Sequence, residues 1–449
     1  MVRPNLQLRV SLARASKALY LLDLLTSDKW WSRAWIYQED YLSSVNMVLL
    51  IPHNPSLEDR KQGAGCNLGK LPGELCVGSA NFREEATKFC LAYKKAKIPQ
   101  WQADICKTIL QSAGKYTVLL REPDGNGDNV VCKSMSPLIL ADIGKRDITE
   151  HSDLLAIAAN CCGYSNRLIT TDLKTIKCSL SLSILTLYLL NGEIIFNDQM
   201  VSKGTLPNNI FDFLKKQSLD NFDPPVVDKQ LTFIKGCRLP SVILLKEGIK
   251  TAGQLWKLGK VVETRKFPSR LPWERSPDYG LGLYQRRRLR QLVNELASGK
   301  HGKKYKTLAR DINKFLHEDA ALEDDADFVK QYKDLMAEVL VQAIDDGKKL
   351  RLALPILQKG QAQRMHRPYR GIFIADSSEI LNDKWQSYVF TASKYSRHTT
   401  NYVSLEVNWN GSTSSGLPRV ITRRWINGLC FDRYPPVDVV FPWPASLAS

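Results

Sequence analysis

The segment Asp28-Lys29-Trp30-Trp31-Ser32-Arg33-Ala34-Trp35-Ile36-Tyr37-Gln38-Glu39 places three tryptophans within six residues. Indoles packed so densely carry more apolar area than a solvent-facing helix leaves exposed, so the chain has to build a wall around them. Read as one continuous helix, Trp31 and Trp35 fall at i and i+4, with Gln38 at i+7 and Leu42 at i+11 on the same face. Ser27 or Asp28 is placed to cap it, and Glu39 follows Trp35 by one turn on the same side. The nearest apolar run is Met47-Val48-Leu49-Leu50-Ile51, which ends at Pro52 and reads as a buried strand. Trp31 and Trp35 are therefore expected to be buried against it. The plain alternative to a functional site is an ordinary core stripe, the usual fate of aromatic residues at helical spacing.

The rest of the chain has enough apolar material for a large core, with 449 residues and 44 % hydrophobic content. Its length predicts two to three domains. The ten cysteines have no C-x-x-C spacing and the six histidines are scattered, which predicts no zinc or other metal site and favours free thiols in a reducing, cytoplasmic setting. Met1 to Leu25 carries Arg3, Arg9, Arg14 and Lys17, so it does not read as a secretory leader. The richest apolar run, Leu180 to Phe196, is broken by Asn191, Gly192 and Glu193 and is too interrupted to span a bilayer. No cofactor-binding motif is evident. The glycines of the Glu122–Asn129 segment read as a turn, because no Lys-Ser/Thr follows them.

Along the chain, helical spacing appears over Phe82–Tyr93 and Trp101–Ser112, with Gly114 as a stop. It recurs from Leu154 to Cys162, closed by Gly163, and from Leu182 to Leu190, closed by Asn191-Gly192. His151 lies at the start of the first of these and reads as a capping or solvated residue. Asp220 to Pro225 reads as a linker. Beyond it, Tyr284–Leu296 turns Leu289, Leu292, Val293 and Leu296 inward and Arg286, Arg287, Arg288 and Arg290 mainly outward, with Gly299 as terminator. His301 to Lys306 reads as a basic connector. The cleanest helix runs from about Phe328 to Asp346, with Leu335, Met336, Val339, Leu340, Ala343 and Ile344 on one face. From Gly371 the period changes to two, and the Asn410-Gly411 turn points to antiparallel pairing. The Gly371–Pro444 region is expected to form an antiparallel sheet packed on that helix. The fold class is thus α+β, with helix-rich N-terminal and middle regions and an antiparallel β-rich C-terminal region. The expected divisions are 1–55, 56–220 and 221–449.

The block Trp31-Ser32-Arg33-Ala34-Trp35-Ile36-Tyr37-Gln38-Glu39 resembles the third signature of the fungal heterokaryon incompatibility (HET) domain, an Arg-x-Trp-Thr-x-Gln-Glu block, with Ile36 where the family usually has Thr. Leu154–Asn160, Leu189–Ile195, Gly253–Gly259 and Val440–Pro444 are similar to the extensions of such proteins. Two upstream signatures, Ala-Leu-Ser-Tyr-x-Trp-Gly-like and Trp-Ile-Asp-x-x-Cys-Ile-x-Gln-like, are missing. Met1 to Ser27 is too short to hold them, since one βαβ unit takes about thirty residues. The expectation is a true start upstream of Met1, a naturally shortened member being the alternative. The resemblance implies that residues 1–55 are the remnant of a TIR-like α/β domain. It also implies a role in fungal non-self recognition and programmed cell death, with other proteins of the incompatibility pathway as partners.

Three function classes follow. In the first, the chain signals or interacts without catalysis, and Trp31, Arg33, Trp35, Gln38 and Glu39 are structural, Arg33 and Glu39 forming an ion-paired, partly buried helix end. In the second, Trp35-Ile36-Tyr37-Gln38-Glu39 is similar to the Trp-Cys-Leu-x-Glu helix of Toll/interleukin-receptor-type domains that cleave NAD. Glu39 is then the candidate catalytic carboxylate, stabilising an oxocarbenium-like transition state. The third class rests on charge. The net charge is +17, and between Lys260 and Arg310 14 Lys or Arg stand against 4 Asp or Glu. Arg286, Arg287, Arg288, Arg290, Lys303 and Lys304 are the candidate anion-binding residues, with nucleic acid as the partner and a solvated helix face as the plainer reading. The first class, non-catalytic as written, is the expected one.

Overall fold

The computed structural model describes residues 2, 6–43, 46–63, 68–113, 139–140, 142–175, 179–194, 238–267, 281–298, 303–317, 327–357, 367–375, 387–392, 395–396, 399–400, 403–431 and 434–443. The fold is α+β. The expected turn at Glu122–Asn129, the Asp220–Pro225 linker and the Gly299 stop lie outside these residues. Two compact units emerge, the first ending at Leu187 and the second beginning at Tyr188.

The first unit begins with α1 (Leu12–Thr26), capped by Ser11. Next come α2 (Lys29–Ser32), α3 (Ala34–Ser43), β1 (Val48–Pro52), α4 (Glu58–Gly63), β2 (Glu74–Gly78), α5 (Ser79–Lys94) and α6 (Gln100–Ala113). It closes with α7 (Asp153–Cys161), α8 (Thr170–Thr175) and most of α9 (Leu180–Leu190). The helical spacing at Phe82–Tyr93 and Trp101–Ser112 thus folds as α5 and α6. Ala15 and Leu19 of α1 meet Phe89, Cys90 and Tyr93 of α5 and Cys106 and Ile109 of α6 in one apolar core. A polar thread runs through it: the hydroxyls of Ser16 and Tyr93 lie 2.7 Å apart, and Tyr93 donates to Gln102 Oε1 at 3.0 Å, so the buried phenol keeps its partners.

The strand expected to be buried at Met47–Ile51 is displaced and half open. Among the described residues β1 pairs with β2 alone, antiparallel, and presents Val48 and Leu50 to solvent at 51 % and 55 % exposure. A two-stranded ribbon with nothing over one face leaves alternate side chains in water, whatever their hydropathy.

The second unit contains β3 (Ile243–Leu245), β4 (Gly248–Val262), α10 (Leu283–Ala297), α11 (Lys303–His317), α12 (Asp327–Asp345), β5 (Leu350–Ile356), β6 (Gly371–Ile374) and β7 (Tyr388–Ala392). After the short β8 (Tyr395–Ser396) and β9 (Thr399–Thr400) come β10 (Val403–Ser412), β11 (Pro418–Trp425), β12 (Gly428–Cys430) and β13 (Val437–Pro442). The main sheet runs β12-β6-β5-β4-β13-β11-β10-β7, with β3 also on β4. Because β7 returns to pair with β4, the strands β4, β13, β11, β10 and β7 close into a ring. β4 makes this possible by its length. Gly248–Gly253 pair with β13, Gln254–Lys257 with β7, and Leu255–Val262 with β5, with a register shift between Leu258 and Val261. A strand that serves both a ring and an open sheet is buried on both faces at the junction, as Leu255 and Trp256 are.

The sheet corrects the expectation in two respects. It is not confined to residues after Gly371, since β3, β4 and β5 precede that point, and the β11–β13 pairing is parallel, at Arg419 and Val440. The expected packing on the long helix is present: α12 lies on β6 and β12. There Leu340 and Ile344 join Leu289 and Leu292 of α10, Leu308 and Ile312 of α11, and Leu352, Ile372 and Leu429 of the sheet in one core. The basic connector expected at His301–Lys306 is helical from Lys303, where α11 starts.

On one face of β4 and β7, Phe390 meets Phe441 edge to face at 5.4 Å; on the opposite face, Trp256 donates to Thr391 Oγ1 at 2.7 Å. Gly253 is fixed by this crowding, because a Cβ there would lie 2.5 Å from both Phe390 Cζ and the Thr391 carbonyl oxygen. Gly253→Ala is expected to cost about 1–3 kcal/mol through forced backbone displacement. A fall in the urea midpoint of unfolding, followed by circular dichroism on wild type and variant, checks it.

Candidate functional site

The tryptophan segment folds as two helices, not one. Asp28 caps the first, accepting from the Trp30 backbone N–H at 2.7 Å, but at Arg33 the backbone turns extended, φ −77 and ψ 132. The hydrogen bonds lost there are replaced from outside. Ala34 N–H donates to Asp147 O at 3.0 Å, Asp147 N–H donates to Ser32 O at 2.8 Å, and the Ser32 hydroxyl reaches Asp147 Oδ2 at 2.6 Å. A break between Trp31 and Trp35 cancels their shared helical face, and the two indoles go to different places.

Trp31 is buried, 5 % exposed, and its indole N–H donates to Leu25 O at 2.7 Å. Its ring stacks on Phe82 at 5.6 Å, with Trp30 edge-on at 4.8 Å. Over it lies the Arg83 guanidinium, 4.6 Å from the ring centre. Arg83 is paired at 2.7 Å with Asp40, both almost fully buried, and Asp40 also accepts from Ser79. A second guanidinium, that of Arg146, sits 4.7 Å over Tyr37 and donates to the carbonyl of Trp31. Arg83 and Arg146 converge on the Ser112 carbonyl, at 3.3 and 3.2 Å. That carbonyl belongs to the last turn of α6, where unsatisfied oxygens and the helix dipole favour cations. Burial pushes the Asp142 carboxyl above its ordinary range, against the pull of Arg146, Lys145 and Arg83.

Trp35 is half-buried and turns to α7, donating to Asp153 Oδ2 at 3.3 Å. Gln38 accepts from Asn160 at 2.8 Å, and Arg167 donates to Asn160 Oδ1 at 2.6 Å. Positions three apart on α3 thereby grip positions seven apart on α7. The contacts of the two indoles run to Phe82 and Arg83 of α5 and to Asp153 of α7, and β1 pairs with β2.

Arg33 and Glu39 depart most from expectation. Both side chains are exposed, and no ion pair joins them. The buried carboxylate is the next residue, Asp40. Sequence reasoning missed Asp40, Arg83 and Arg146. The signal available for Arg83 was its place on the inward stripe of α5, which continues through Ala86, Cys90 and Tyr93. A charge on such a stripe is buried only when paired.

The cationic candidates divide in the same way. Arg288 is buried and bonded to Asp345 at 2.6 and 2.8 Å, with Tyr284 donating to the other oxygen of that carboxylate at 2.7 Å. Arg286 donates to the carbonyls of Leu281 and Leu316, at 3.1 and 2.6 Å, which ties the end of α11. Arg287, Arg290, Lys303 and Lys304 are exposed. Two of the six candidates are therefore internal fasteners. Among the described residues no group of His, Cys, Asp and Glu is placed to hold a metal ion, and no helix is long and apolar enough to cross a membrane.

Comparison with known families, characterised proteins and solved structures gives no match.

Two substitutions separate the neighbouring carboxylates. Asp40→Ala leaves Arg83 buried without a counter-charge and is expected to cost about 3–5 kcal/mol. Glu39→Ala, on an exposed position, is expected to stay within about 0.5 kcal/mol of wild type. Denaturant unfolding of both variants gives the comparison. A third variant tests Asp142. Its folded pKa is raised, so its stabilising contribution is present at low pH and is lost as pH rises through that pKa. Asp142→Asn should therefore gain stability relative to wild type as pH rises through that range, read as the difference between their unfolding free energies.

Proposed function

We propose that the chain acts without catalysis in fungal non-self recognition, as an interaction protein of the incompatibility pathway. What supports the pathway is the resemblance of Trp31–Glu39 to the HET signature. What supports the non-catalytic half is a single observation: the block's inward aromatic and polar groups are spent on packing, while Glu39 is exposed to water. A carboxylate that stabilises an oxocarbenium-like charge works by being held against the substrate in a water-excluded site, and such positioning is worth about 7–11 kcal/mol in well-oriented systems. Among the described residues Glu39 has no partner that fixes its carboxylate, whereas Asp40, which is fixed, has its oxygens occupied by Arg83 and Ser79.

The test is expression of wild type and Glu39→Ala side by side in a fungal host, with colony viability and cellular NAD as readouts. Both chains are expected to leave viability and NAD unchanged. Depletion of NAD by wild type and not by Glu39→Ala would replace this reading with the enzymatic one.

A further inference from the structure

The outward sides of α10 and α11 carry charge that the fold does not use. On α11, Lys303, Lys306 and Arg310 are exposed and fall at i, i+3 and i+7, one stripe of the helix, about 4.5 and 6 Å apart along its axis. On α10, which packs against α11, Arg287 and Arg290 are exposed at i and i+3. None of these five has an ion-pair partner among the described residues. The acidic residue of α11, Asp311, is buried and bound to Arg370 at 2.9 Å. The stripe is therefore cationic along its length.

The helices that present it are held firmly. Arg288 with Asp345 fastens α10 to α12, Arg286 fastens α10 to the end of α11, and Asp311 with Arg370 fastens α11 to the start of β6. Cations on a fixed frame lose little freedom on meeting a fixed array of anions.

We propose that this face binds the phosphate backbone of duplex nucleic acid, independently of the incompatibility reading and without selecting sequence. The choice of duplex follows from what the face lacks. A single-strand site stacks bases on free aromatic rings. Tyr305, the aromatic residue of α11's first turn, is half-buried and already packed on Tyr369 at 5.1 Å. A membrane-surface helix buries an apolar face beside its cations. The exposed large apolar side chain of these two helices is Leu283, at the first position of α10, away from the α11 stripe. What remains is a row of point charges, which suits phosphates and reads no base edges.

The experiment uses the full chain and a fluorescein-labelled random-sequence DNA duplex, with anisotropy followed over a salt series. Binding is expected with Kd of roughly 10⁻⁴ to 10⁻⁶ M at physiological salt, weakening linearly on logarithmic axes as salt rises. The variant Lys303→Gln/Lys306→Gln/Arg310→Gln should lower the steepness of that dependence by about 2–3, close to one for each phosphate contact removed. Arg287→Gln/Arg290→Gln should lower it by about 1–2. Thermal melts of both variants are expected to match wild type, because all five side chains are exposed. The proposal is overturned if the duplex is not bound at low salt, or if the triple variant binds it with an unchanged salt dependence. Preferential binding of the labelled single strand, or of phosphatidylserine vesicles, over the duplex overturns it equally.

Discussion

A guanidinium taken out of water costs several kcal/mol unless a carboxylate and further acceptors meet it. Both units of this protein are arranged around that demand. Arg83 meets Asp40 between α5 and α3, Arg288 meets Asp345 between α10 and α12, Arg370 meets Asp311 between the start of β6 and α11, and Arg424 meets Glu406 across β11 and β10. Apolar cores tolerate sliding and repacking, but a planar, directional partner accepts only one placement of the elements that carry it. The pairs therefore do for register what the leucines do for cohesion. In the first unit the consequence reaches the tryptophans: once Arg83 is fixed by Asp40, its face is available to cover Trp31, and Arg146 covers Tyr37 by the same logic.

The same demand sorts the charge excess. Arginines able to reach a carboxylate inside became fasteners, and the cations left over collect where the helices face water. A stretch that reads as one basic block in the sequence is thus two populations in space, one structural and one available. The division also weakens the case for chemistry at the tryptophan block, since the carboxylate with a defined environment is the one already neutralised by its neighbours.

Much of the helical architecture was legible. The spacing of Phe89, Cys90 and Tyr93, or of Leu340 and Ile344, follows a period that water enforces locally, and α5, α6 and α12 came out where that period put them. What was illegible depended on partners far away. The break at Arg33 exists because Asp147 supplies replacement hydrogen bonds, and nothing between Trp31 and Trp35 announces it. β4 reads as a mixed run, Gly-Ile-Lys-Thr-Ala-Gly-Gln-Leu-Trp-Lys-Leu-Gly-Lys-Val-Val, because its two halves have different neighbours and no single alternation serves both. At the site, the tryptophans were found, and the carboxylate that folding buries is Asp40, one position beyond Glu39. Glu39 matched a pattern of letters, whereas Asp40 owed its importance to a stripe on α5 that only folding brings opposite.

The long fourth strand also sets a timetable. Gly248–Gly253 pair with Val437–Pro442, so the ring stays open until nearly all of the second unit has been synthesised, whereas the contacts that build the first unit are complete by Leu187. Such non-local closure is slow, and loose strands with unpaired edges invite the wrong neighbour while they wait. On the ribosome the first unit can assemble early, while Gly248–Gly253 wait for Val437–Pro442 to arrive. An error late in the message would leave a folded amino-terminal unit tethered to an aggregating tail.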